Sequence, residues 1–528
     1  MTDLYTRYDG SQARERYDAI VIGSGIGGLG VAALLARQGR RALVLERHTV
    51  AGGLTHTFRR GPFTWDVGLH YIGKVHDEGD LRRRAFDYVS EGRLRWASTG
   101  PVYDRLVFDD AAHEFPAGEA ALRDALARAF PQQRRALAQY FALLHAVERR
   151  SLLYFAERLL PRWLGDVAHP LLAGPFRRHA DRSTLAVLRS LTDDARLIGV
   201  LSGQWGNYAL PPADSSFAMH ALMAEVYLDG ANYPVGGAGA LLSAIAPTIR
   251  RAGGEIAVKA EVAEIVVQGG RAVGVRLAGG DELRAPTIVS DAGVYNTFAR
   301  LLPAAHRNGD YAHVPERTRP AMGHVCLYLG LRGDPRALGL DGKNLWVLPG
   351  YDHDASVREY FRDRTARFPV VYLSSSAAKD PAWPERHPGR ATLTAIAPAP
   401  YAWFEPWEGS AWRRRPEAYE ALKAELTERL LAVVHEHLPE LRGRVEHAEL
   451  STPLSTRHFS AHHRGAMYGL EHSPERFAQR WLRPATTIPG LYLTGQDTVT
   501  VGVGASMISA VLTASAVLRK NLVFALSR

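Results

Sequence analysis

The chain has 528 residues, of which 46% are hydrophobic and 23% are charged. That length exceeds one ordinary hydrophobic core, so we expect two or three globular domains rather than a disordered or fibrous chain. The formal net charge is +9, but the basic residues are scattered and form no DNA- or RNA-binding module, which argues against nucleic acid as a partner.

Cysteine usage and the N-terminal sequence bear on the compartment. Cys326 is the single cysteine, which excludes an intrachain disulfide, and it lies in an apolar run typical of a buried strand. The first 18 residues are polar, and no apolar run of about 18 residues predicts a transmembrane helix. We therefore expect a cytoplasmic protein, with association at a membrane surface left open.

Glycines follow directly after the first apolar strand of the sequence. Gly23, Gly25 and Gly28 occupy the three positions of the G-x-G-x-x-G fingerprint, and Gly27 lies within it. Such glycines allow a tight turn, a close approach of backbone to a pyrophosphate, and close packing of a helix on a strand. The apolar periodicity of residues 29–36 predicts the helix that follows, whose free N–H groups would bind the diphosphate.

An acidic residue ends the second predicted strand, residues 42–45. Glu46 follows Gly28 at roughly the 20-residue spacing at which an acid accepts hydrogen bonds from ribose hydroxyls. A lone glycine fingerprint is weak evidence, but here the strand, the glycines, the helix, the second strand and the acid come in order. We therefore predict a Rossmann-type dinucleotide-binding domain.

Three features favour FAD over NAD as the dinucleotide. Gly52 and Gly53, shortly after Glu46 and Arg47, indicate a backbone that passes close to a bound cofactor, where an NAD domain would enter another helix. Residues 254–291 contain four short strand-like runs separated by glycine pairs, and we predict that they form a small antiparallel meander.

The C-terminal segment supplies the third feature. Residues 490–495 resemble a strand that ends on Gly495, and Asp497 then offers a carboxylate to a ribityl chain. Gly504 precedes an apolar helix predicted from about residue 505 to residue 519. The N-terminus of that helix would face the flavin pyrimidine edge, where negative charge gathers on reduction.

Together these features resemble the glutathione-reductase-like FAD domain in its amine-oxidase and phytoene-desaturase branch. The resemblance covers most of the chain and implies an α/β fold, in which a Rossmann-type FAD-binding domain carries an inserted α+β substrate domain. It also implies that the strand containing Val262 brings its backbone to the adenine. The implied domains are a discontinuous FAD-binding domain near residues 15–110, 230–305 and 480–528, and a substrate domain at 111–229 and 306–479.

Several segments resemble the retinol saturase subgroup of the phytoene desaturase and carotenoid isomerase family. They are SGQWGNY at 202–208, ANYPVGG at 231–237, SDAGVYNT at 290–297 and LYLTGQD at 491–497, while DVGLHYIG at 66–73 also occurs in the isomerases. The resemblance implies flavin-dependent reduction of a double bond in an apolar unsaturated lipid, such as a retinoid or carotenoid, by an unidentified electron donor. Isomerisation or desaturation of a polyene is the alternative, followed by amine oxidation and by noncatalytic lipid binding.

Saturation also needs a proton for the second carbon of the double bond. By chemistry and family position, the candidate donors are His70, Tyr71, Tyr233 and Tyr468. We predict no metal site: His458 and His462 have i, i+4 spacing, but no carboxylate accompanies them. A second glycine fingerprint after a strand is also missing from the sequence, so we expect no dedicated pyridine-nucleotide domain and leave a transient NAD(P)H site open.

The sequence between the predicted elements includes an unusual apolar segment. Helical periodicity is clear in residues 118–150 and 415–438. Residues 151–178 combine many large apolar residues with interspersed arginines. This segment is either an amphipathic surface at which a lipid substrate enters from a membrane, or an ordinary helical layer of the substrate domain, and the sequence favours the second.

Overall fold

The structure is a computed structural model and describes residues 4–527. Its strands are β1 (Thr6–Arg7), β2 (Ala19–Ile22), β3 (Ala42–Glu46), β4 (Thr57–Arg60), β5 (Phe63–Asp66), β6 (Trp96–Ser98), β7 (Val102–Val107), β8 (Ala112–Pro116), β9 (Asn232–Pro234), β10 (Glu255–Val258), β11 (Val262–Gln268), β12 (Arg271–Leu277), β13 (Glu282–Arg284), β14 (Ile288–Ser290), β15 (His324–Arg332), β16 (Asn344–Val347), β17 (Val371–Ser374), β18 (Arg390–Pro398), β19 (Val445–Ser451) and β20 (Leu491–Leu493).

The α-helices are α1 (Ile26–Ala36), α2 (Leu81–Ser90), α3 (Glu119–Ala129), α4 (Arg134–Glu157), α5 (Arg162–Leu172), α6 (Gly174–Ala180), α7 (Thr184–Arg189), α8 (Ala195–Ser202), α9 (Phe217–Tyr227), α10 (Gly239–Arg251), α11 (Val314–Arg317), α12 (His353–Arg362), α13 (Ser376–Lys379), α14 (Trp383–Arg386), α15 (Glu417–His437), α16 (Pro453–Ser460), α17 (Pro474–Ala478), α18 (Val503–Leu518) and α19 (Leu522–Leu526).

The first of the two large sheets has six parallel strands, in the order β1-β10-β3-β2-β14-β20. Its central strands β2 and β3 are buried along their whole length, because helices cover the sheet, and their short apolar runs reflect this. Helix α1 packs against α10 and α18. A Cβ added at Gly30 of α1 would lie 2.7 Å from Ala510 Cβ of α18, so glycine permits this close packing. The predicted Rossmann-type α/β fold is confirmed.

The predicted four-stranded meander is wrong in one strand. Only β11, β12 and β13 form the small antiparallel sheet. The strand β10 instead pairs in parallel with β1 and β3. Helix α10 comes directly before β10 and makes the crossover that a parallel strand requires. Three of the four residues of β10 are buried, as expected of a strand inside a parallel sheet. An apolar run by itself does not identify the neighbouring strand.

A second sheet has seven strands in the order β19-β15-β18-β17-β16-β7-β8. Its pairs are antiparallel except for β16 and β7, which are parallel. Strand β7 therefore pairs in this sheet, although it lies inside the range 15–110 that we assign to the FAD-binding domain. The domain boundaries themselves stay a prediction.

The helical segments differ in how well the sequence defines them. The predicted helix over 415–438 is α15, whereas the predicted helix over 118–150 is divided into α3 and α4 at Pro131. Residues 151–178 form the end of α4, then α5 and part of α6, and five of their large apolar side chains are between 51% and 76% exposed: Leu152, Leu153, Trp163, Val167 and Leu171. None of the helices between residues 4 and 527 combines the length and the apolar character needed to cross a membrane.

Candidate active site

Two cavities meet inside the protein. The smaller one, with a volume of about 750 Å³, is lined by the glycine-rich turn after β2, and we call it the glycine-loop cavity. The larger one has a volume of about 1550 Å³, and we call it the large cavity. Both cavities are lined by the same set of residues at one place, the junction: Gly68, His324, Met467, Tyr468, Val501, Gly502 and Val503.

The glycine-rich turn leaves no room for side chains. Gly23 has a φ of 98°, and a Cβ added at Gly28 would overlap the Gly23 carbonyl oxygen. A Cβ added at Gly27 would lie 2.8 Å from the Gly495 backbone, and one at Gly25 would lie 2.5 Å from an Asp291 carboxylate oxygen. Because α1 begins at this turn, its first N–H groups face the cavity, as anion binding requires.

Asp291 is a feature of this turn that sequence reasoning missed. Its Oδ2 accepts a hydrogen bond of 2.9 Å from Gly28 N, at the N-terminus of α1. Burial, helped by the nearby carboxylates of Glu46 and Asp497, raises the pKa of Asp291 to about 7, although the hydrogen bond from Gly28 N lowers it. A protonated Asp291 can donate a hydrogen bond to a phosphate oxygen placed at this turn, so the carboxyl group does not exclude a diphosphate.

Glu46 organises the glycine-rich turn from the end of β3. Its Oε2 accepts hydrogen bonds from Ser24 N at 3.1 Å and from Ser24 Oγ at 2.7 Å, while its Oε1 accepts one from His48 N at 2.7 Å. Arg47 donates to the His458 carbonyl oxygen at 2.7 Å. Both Glu46 and Arg47 line the glycine-loop cavity, so the predicted contact of Glu46 with a ribose stays a prediction that the geometry permits.

The double glycine after β3 makes the close approach that the sequence suggests. Gly52 and Gly53 have φ values of 121° and 55°, a region that favours glycine. A Cβ added at Gly53 would lie 2.7 Å from Gly25 Cα, so this segment contacts the glycine-rich turn itself. Val262 begins β11 and lines the same cavity.

The C-terminal elements close the glycine-loop cavity at the junction. Gly495 follows β20 with a φ of 92°. Asp497 accepts hydrogen bonds of 2.9 Å each from Val294 N and Leu470 N, so its carboxylate fixes two loops of the cavity wall. Helix α18 begins at the junction, and a Cβ added at Gly504 would lie 3.3 Å from Arg82 Cδ. The cavity thus has a glycine cradle at one end and a helix N-terminus at the other, which fits a dinucleotide.

Tyrosines form one wall of the large cavity beside the junction. The Tyr71 ring stacks on that of Tyr227 with centroids 4.4 Å apart, and the Tyr372 ring lies 6.3 Å from Tyr71. The Tyr71 hydroxyl donates to Asp104 Oδ2 at 3.1 Å and accepts from Asn207 Nδ2 at 3.1 Å. An aromatic wall of this kind suits a flat, apolar ligand.

The four predicted proton donors differ in their surroundings. His70 and Tyr71 line the large cavity, and Tyr468 lies at the junction. Burial lowers the pKa of His70 to about 3, and neither of its ring nitrogens has a hydrogen-bond partner within residues 4–527. Burial raises the pKa of Tyr468 to about 12. At neutral pH His70 is therefore a neutral imidazole with no acidic proton to give, and Tyr468 holds its proton tightly.

Tyr233 must be removed from the candidate donors. It is fully buried, lines neither the glycine-loop cavity nor the large cavity, and donates its hydroxyl hydrogen to Asp66. Asp66 also accepts from Ala238 N at 3.1 Å. The side chain of Tyr233 therefore fixes the backbone between β9 and α10, and the tyrosine in the motif at 231–237 has a structural role.

A buried polar network behind the tyrosines has no counterpart in the sequence analysis. Asp104 accepts hydrogen bonds from Gln204 and, at 2.7 Å, from Asn344 Nδ2. The Lys379 ammonium donates to Asn344 and, at 2.6 Å, to Ser374 Oγ. Burial raises the pKa of Asp104 to about 6 and lowers that of Lys379 to about 7. The network holds Tyr71 in place through its bond to Asp104.

Comparison with known proteins agrees with this geometry. A family model described as an NAD(P)-binding Rossmann-like domain matches residues 21–89. All-trans-retinol 13,14-reductase of Homo sapiens is 35% identical over 98% of this chain and 88% of its own length. Chloroplastic prolycopene isomerase of Arabidopsis thaliana is 27% identical over 93% of this chain and 80% of its own length. Cyclohexylamine oxidase from Brevibacterium oxydans has the same fold, with a TM-score of 0.60. The match covers 96% of this chain and 100% of that chain, at 16% sequence identity.

Proposed function

The chain belongs to the all-trans-retinol 13,14-reductase family, and on this premise we propose that it is an FAD-dependent oxidoreductase that saturates one double bond of a retinoid or similar polyene lipid. The observation that carries the proposal is the junction, where a dinucleotide-shaped cavity meets a large cavity walled by tyrosines. A polyene offers a protein few polar groups to bind, so its reactive bond must be positioned by the shape of the cavity.

FAD is the cofactor that best fits the glycine-loop cavity. The cavity extends from Val262 and Glu46, which suit an adenosine moiety, to the N-terminus of α18 at the junction. When bound, FAD supplies the hydride that one carbon of the double bond receives. The N-terminus of α18 would stabilise negative charge on a reduced ring bound beside it, and the tyrosine wall would orient the substrate and exclude water.

The mass of the product tests the reaction type. Protein loaded with FAD and reduced anaerobically by dithionite should convert all-trans-retinol into a product that carries two more hydrogens. Isomerisation leaves the substrate mass unchanged, and desaturation removes two hydrogens. Mass spectrometry of the extracted lipid distinguishes the three results, and a product of unchanged mass would favour the isomerase alternative that prolycopene isomerases represent. A parallel incubation with an amine tests amine oxidation.

Glu46 should contribute to FAD binding. Purified protein should be yellow and should release FAD on denaturation. The Glu46→Ala variant removes the acceptor for Ser24 and any ribose hydroxyl, and should weaken FAD binding by roughly 1–3 kcal/mol, the scale of hydrogen bonds to a charged group. Titration of the apoprotein with FAD, followed by flavin fluorescence, measures the change. Unchanged affinity in a folded variant would contradict the assignment.

We also propose that the protein takes its substrate from a membrane surface. The exposed side chains of Leu152 and Leu153 line the large cavity as well, so that cavity opens beside the exposed apolar residues of α5. Arg162 and Arg178 are exposed on the same segment, and their charge favours anionic lipid. A cytoplasmic location remains our expectation.

A further inference from the structure

The large cavity has a charged lining where α4 packs against α9. Glu148 of α4 and Glu225 of α9 both line the cavity. One carboxylate oxygen of each, together with one ring nitrogen of His145, lie within 4.8 Å of one another. Two carboxyl groups at this separation on an apolar cavity do not both ionise readily, because like charges in a medium of low polarity repel each other.

The neighbouring cation determines which carboxyl group holds the proton. Lys74 Nζ lies 3.0 Å from Glu225 Oε1 and 2.7 Å from Asp229 Oδ2, so this cation forms its ion pair with Glu225 and not with Glu148. Burial raises the pKa of Glu148 above its ordinary value, and the negative charge of Glu225 raises it further. Glu148 is therefore the carboxylic acid of the pair, and its O–H group belongs to the cavity wall.

The charges around the pair argue against a metal ion in its place. Lys74 is already paired with Glu225, and Arg82, which also lines the cavity, lies close enough for both glutamates to affect its pKa. The charged groups that act on Glu148 are Glu225, Lys74 and Arg82, and His145 lies beside the pair. The carboxylates behind them are partners of these groups: Glu119 of His145, Asp80 of Arg82 and Asp229 of Lys74.

We propose that Glu148 is the acid that delivers the second hydrogen to the substrate, and that Glu225 is a positioning residue that keeps this proton on Glu148. The inference rests on the proposed function, because only saturation requires this proton. Glu148 lines the large cavity, and the ionisable groups at the junction are less suited to donate a proton at neutral pH: burial lowers the pKa of His324 to about 4, which leaves it without a proton to give, and raises that of Tyr468 to about 12, which holds its proton tightly. A general acid works best when its pKa is near the operating pH.

The step balances in atoms and electrons. One carbon of the double bond receives a hydride from the reduced flavin, and the O–H bond of Glu148 breaks as its proton joins the other carbon. The π bond is replaced by two C–H bonds, the flavin is oxidised, and Glu148 is left as a carboxylate. Lys74 and Arg82 stabilise the resulting pair of anions. His145 has a ring nitrogen within 4.8 Å of Glu148 and a side chain that is 35% exposed, and it would return a proton from solvent to Glu148.

The Glu148→Gln variant tests the proposal in FAD-loaded protein reduced by dithionite. Glutamine keeps the size and polarity of the side chain but carries no acidic proton. We expect saturation of all-trans-retinol to slow at least ~100-fold, the scale for loss of a general acid. Retinol binding, measured by quenching of protein fluorescence, should not change. Glu428→Gln, an exposed substitution on α15, is the matched control and should retain full activity.

The Glu225→Gln variant separates positioning from structure. Wild-type activity should fall as the pH rises through the pKa of Glu148, because the acid must be protonated. Removing the charge of Glu225 lowers that pKa, so this limb of the pH profile should move to lower pH, with activity at neutral pH reduced and restored in acid. A merely structural role would lower activity at every pH.

Infrared spectroscopy provides a measurement that does not depend on turnover. The infrared difference spectrum of FAD-free wild-type protein minus Glu148→Gln, recorded below the pH at which wild-type activity falls, should contain the carbonyl stretch of one protonated carboxyl group, because the bands of other protonated carboxyl groups such as Asp291 cancel in the difference. The inference alone is overturned if Glu148→Gln forms saturated product at the wild-type rate, if the difference spectrum contains no carbonyl band, or if a stoichiometric metal is found at the pair. No product from wild-type protein overturns the proposed function and the inference together.

Discussion

A Gly28→Ala variant is expected to lose FAD. The added Cβ would overlap the Gly23 carbonyl oxygen and would lie 3.2 Å from the Gly23 carbonyl carbon. Both are backbone atoms of a tight turn and cannot rotate out of the way, so α1 must move away from β2. Its N–H groups would then no longer be placed to bind the diphosphate. We expect FAD binding to weaken by about 3 kcal/mol, which corresponds to roughly 100-fold in the dissociation constant.

Two further glycine variants make this experiment specific. In Gly25→Ala the added Cβ meets the Asp291 carboxylate at 2.5 Å and stands where the backbone approaches the pyrophosphate, so FAD binding should weaken there as well. In Gly279→Ala the added Cβ meets nothing within 4 Å, so affinity should not change. FAD content and titration of the apoprotein measure all three. A folded Gly28→Ala protein with full FAD content would show that the diphosphate does not bind at this turn.

The same turn shows why the dinucleotide half of the site could be predicted from the sequence. Its elements are local: β2, the glycines, α1 and Glu46 lie within 28 residues, and each is specified by its own pattern of apolar, small or acidic residues. Helix α18 begins and ends within about two residues of the predicted bounds for the same reason. Local patterns determine which element forms, but they do not determine which strand it pairs with. For this reason the sequence predicts β10 in the small antiparallel sheet, whereas the strand pairs in the parallel sheet.

The cavity wall could not be predicted in this way. Asp104, Asn344 and Lys379 come from distant parts of the chain, and their hydrogen bonds exist only because β7 pairs with β16. Glu148 lies on a helix where its position resembles a solvated face, and it becomes a cavity residue because α9 packs against α4. Tyr233 shows the opposite error, since a residue in a family motif is used for packing.

The apolar residues of α5 present a different case, because the sequence favoured an ordinary helical layer and the structure leaves them exposed. Trp163, Val167 and Leu171 are 71%, 76% and 76% exposed. Large apolar groups in such an arrangement are stabilised when another apolar phase covers them, and the opening of the large cavity beside them makes a lipid bilayer the partner we propose.

Binding to anionic vesicles should therefore depend strongly on α5. Full burial of one such side chain is worth about 1.5–3 kcal/mol, so even partial burial of three gives about 3 kcal/mol, or roughly 100-fold in partitioning. Replacing Trp163, Val167 and Leu171 together by serine should reduce flotation with phosphatidylserine-containing vesicles by at least that factor. Arg162→Gln should reduce the free energy of vesicle binding by about 1 kcal/mol. Added salt should weaken the binding of wild-type protein to anionic vesicles, because it screens the charges of the arginines.

Controls separate a bilayer from other partners for this surface. Phe459→Ser removes an exposed aromatic side chain outside this segment and should leave flotation unchanged. Neutral phosphatidylcholine vesicles should bind less protein than anionic ones, because they carry no net negative charge to attract the exposed arginines. If wild-type protein does not float with either vesicle but forms a dimer that the triple serine variant abolishes, then α5 is a contact between copies of the chain. In that case the cavity opens at a protein interface and receives its lipid there.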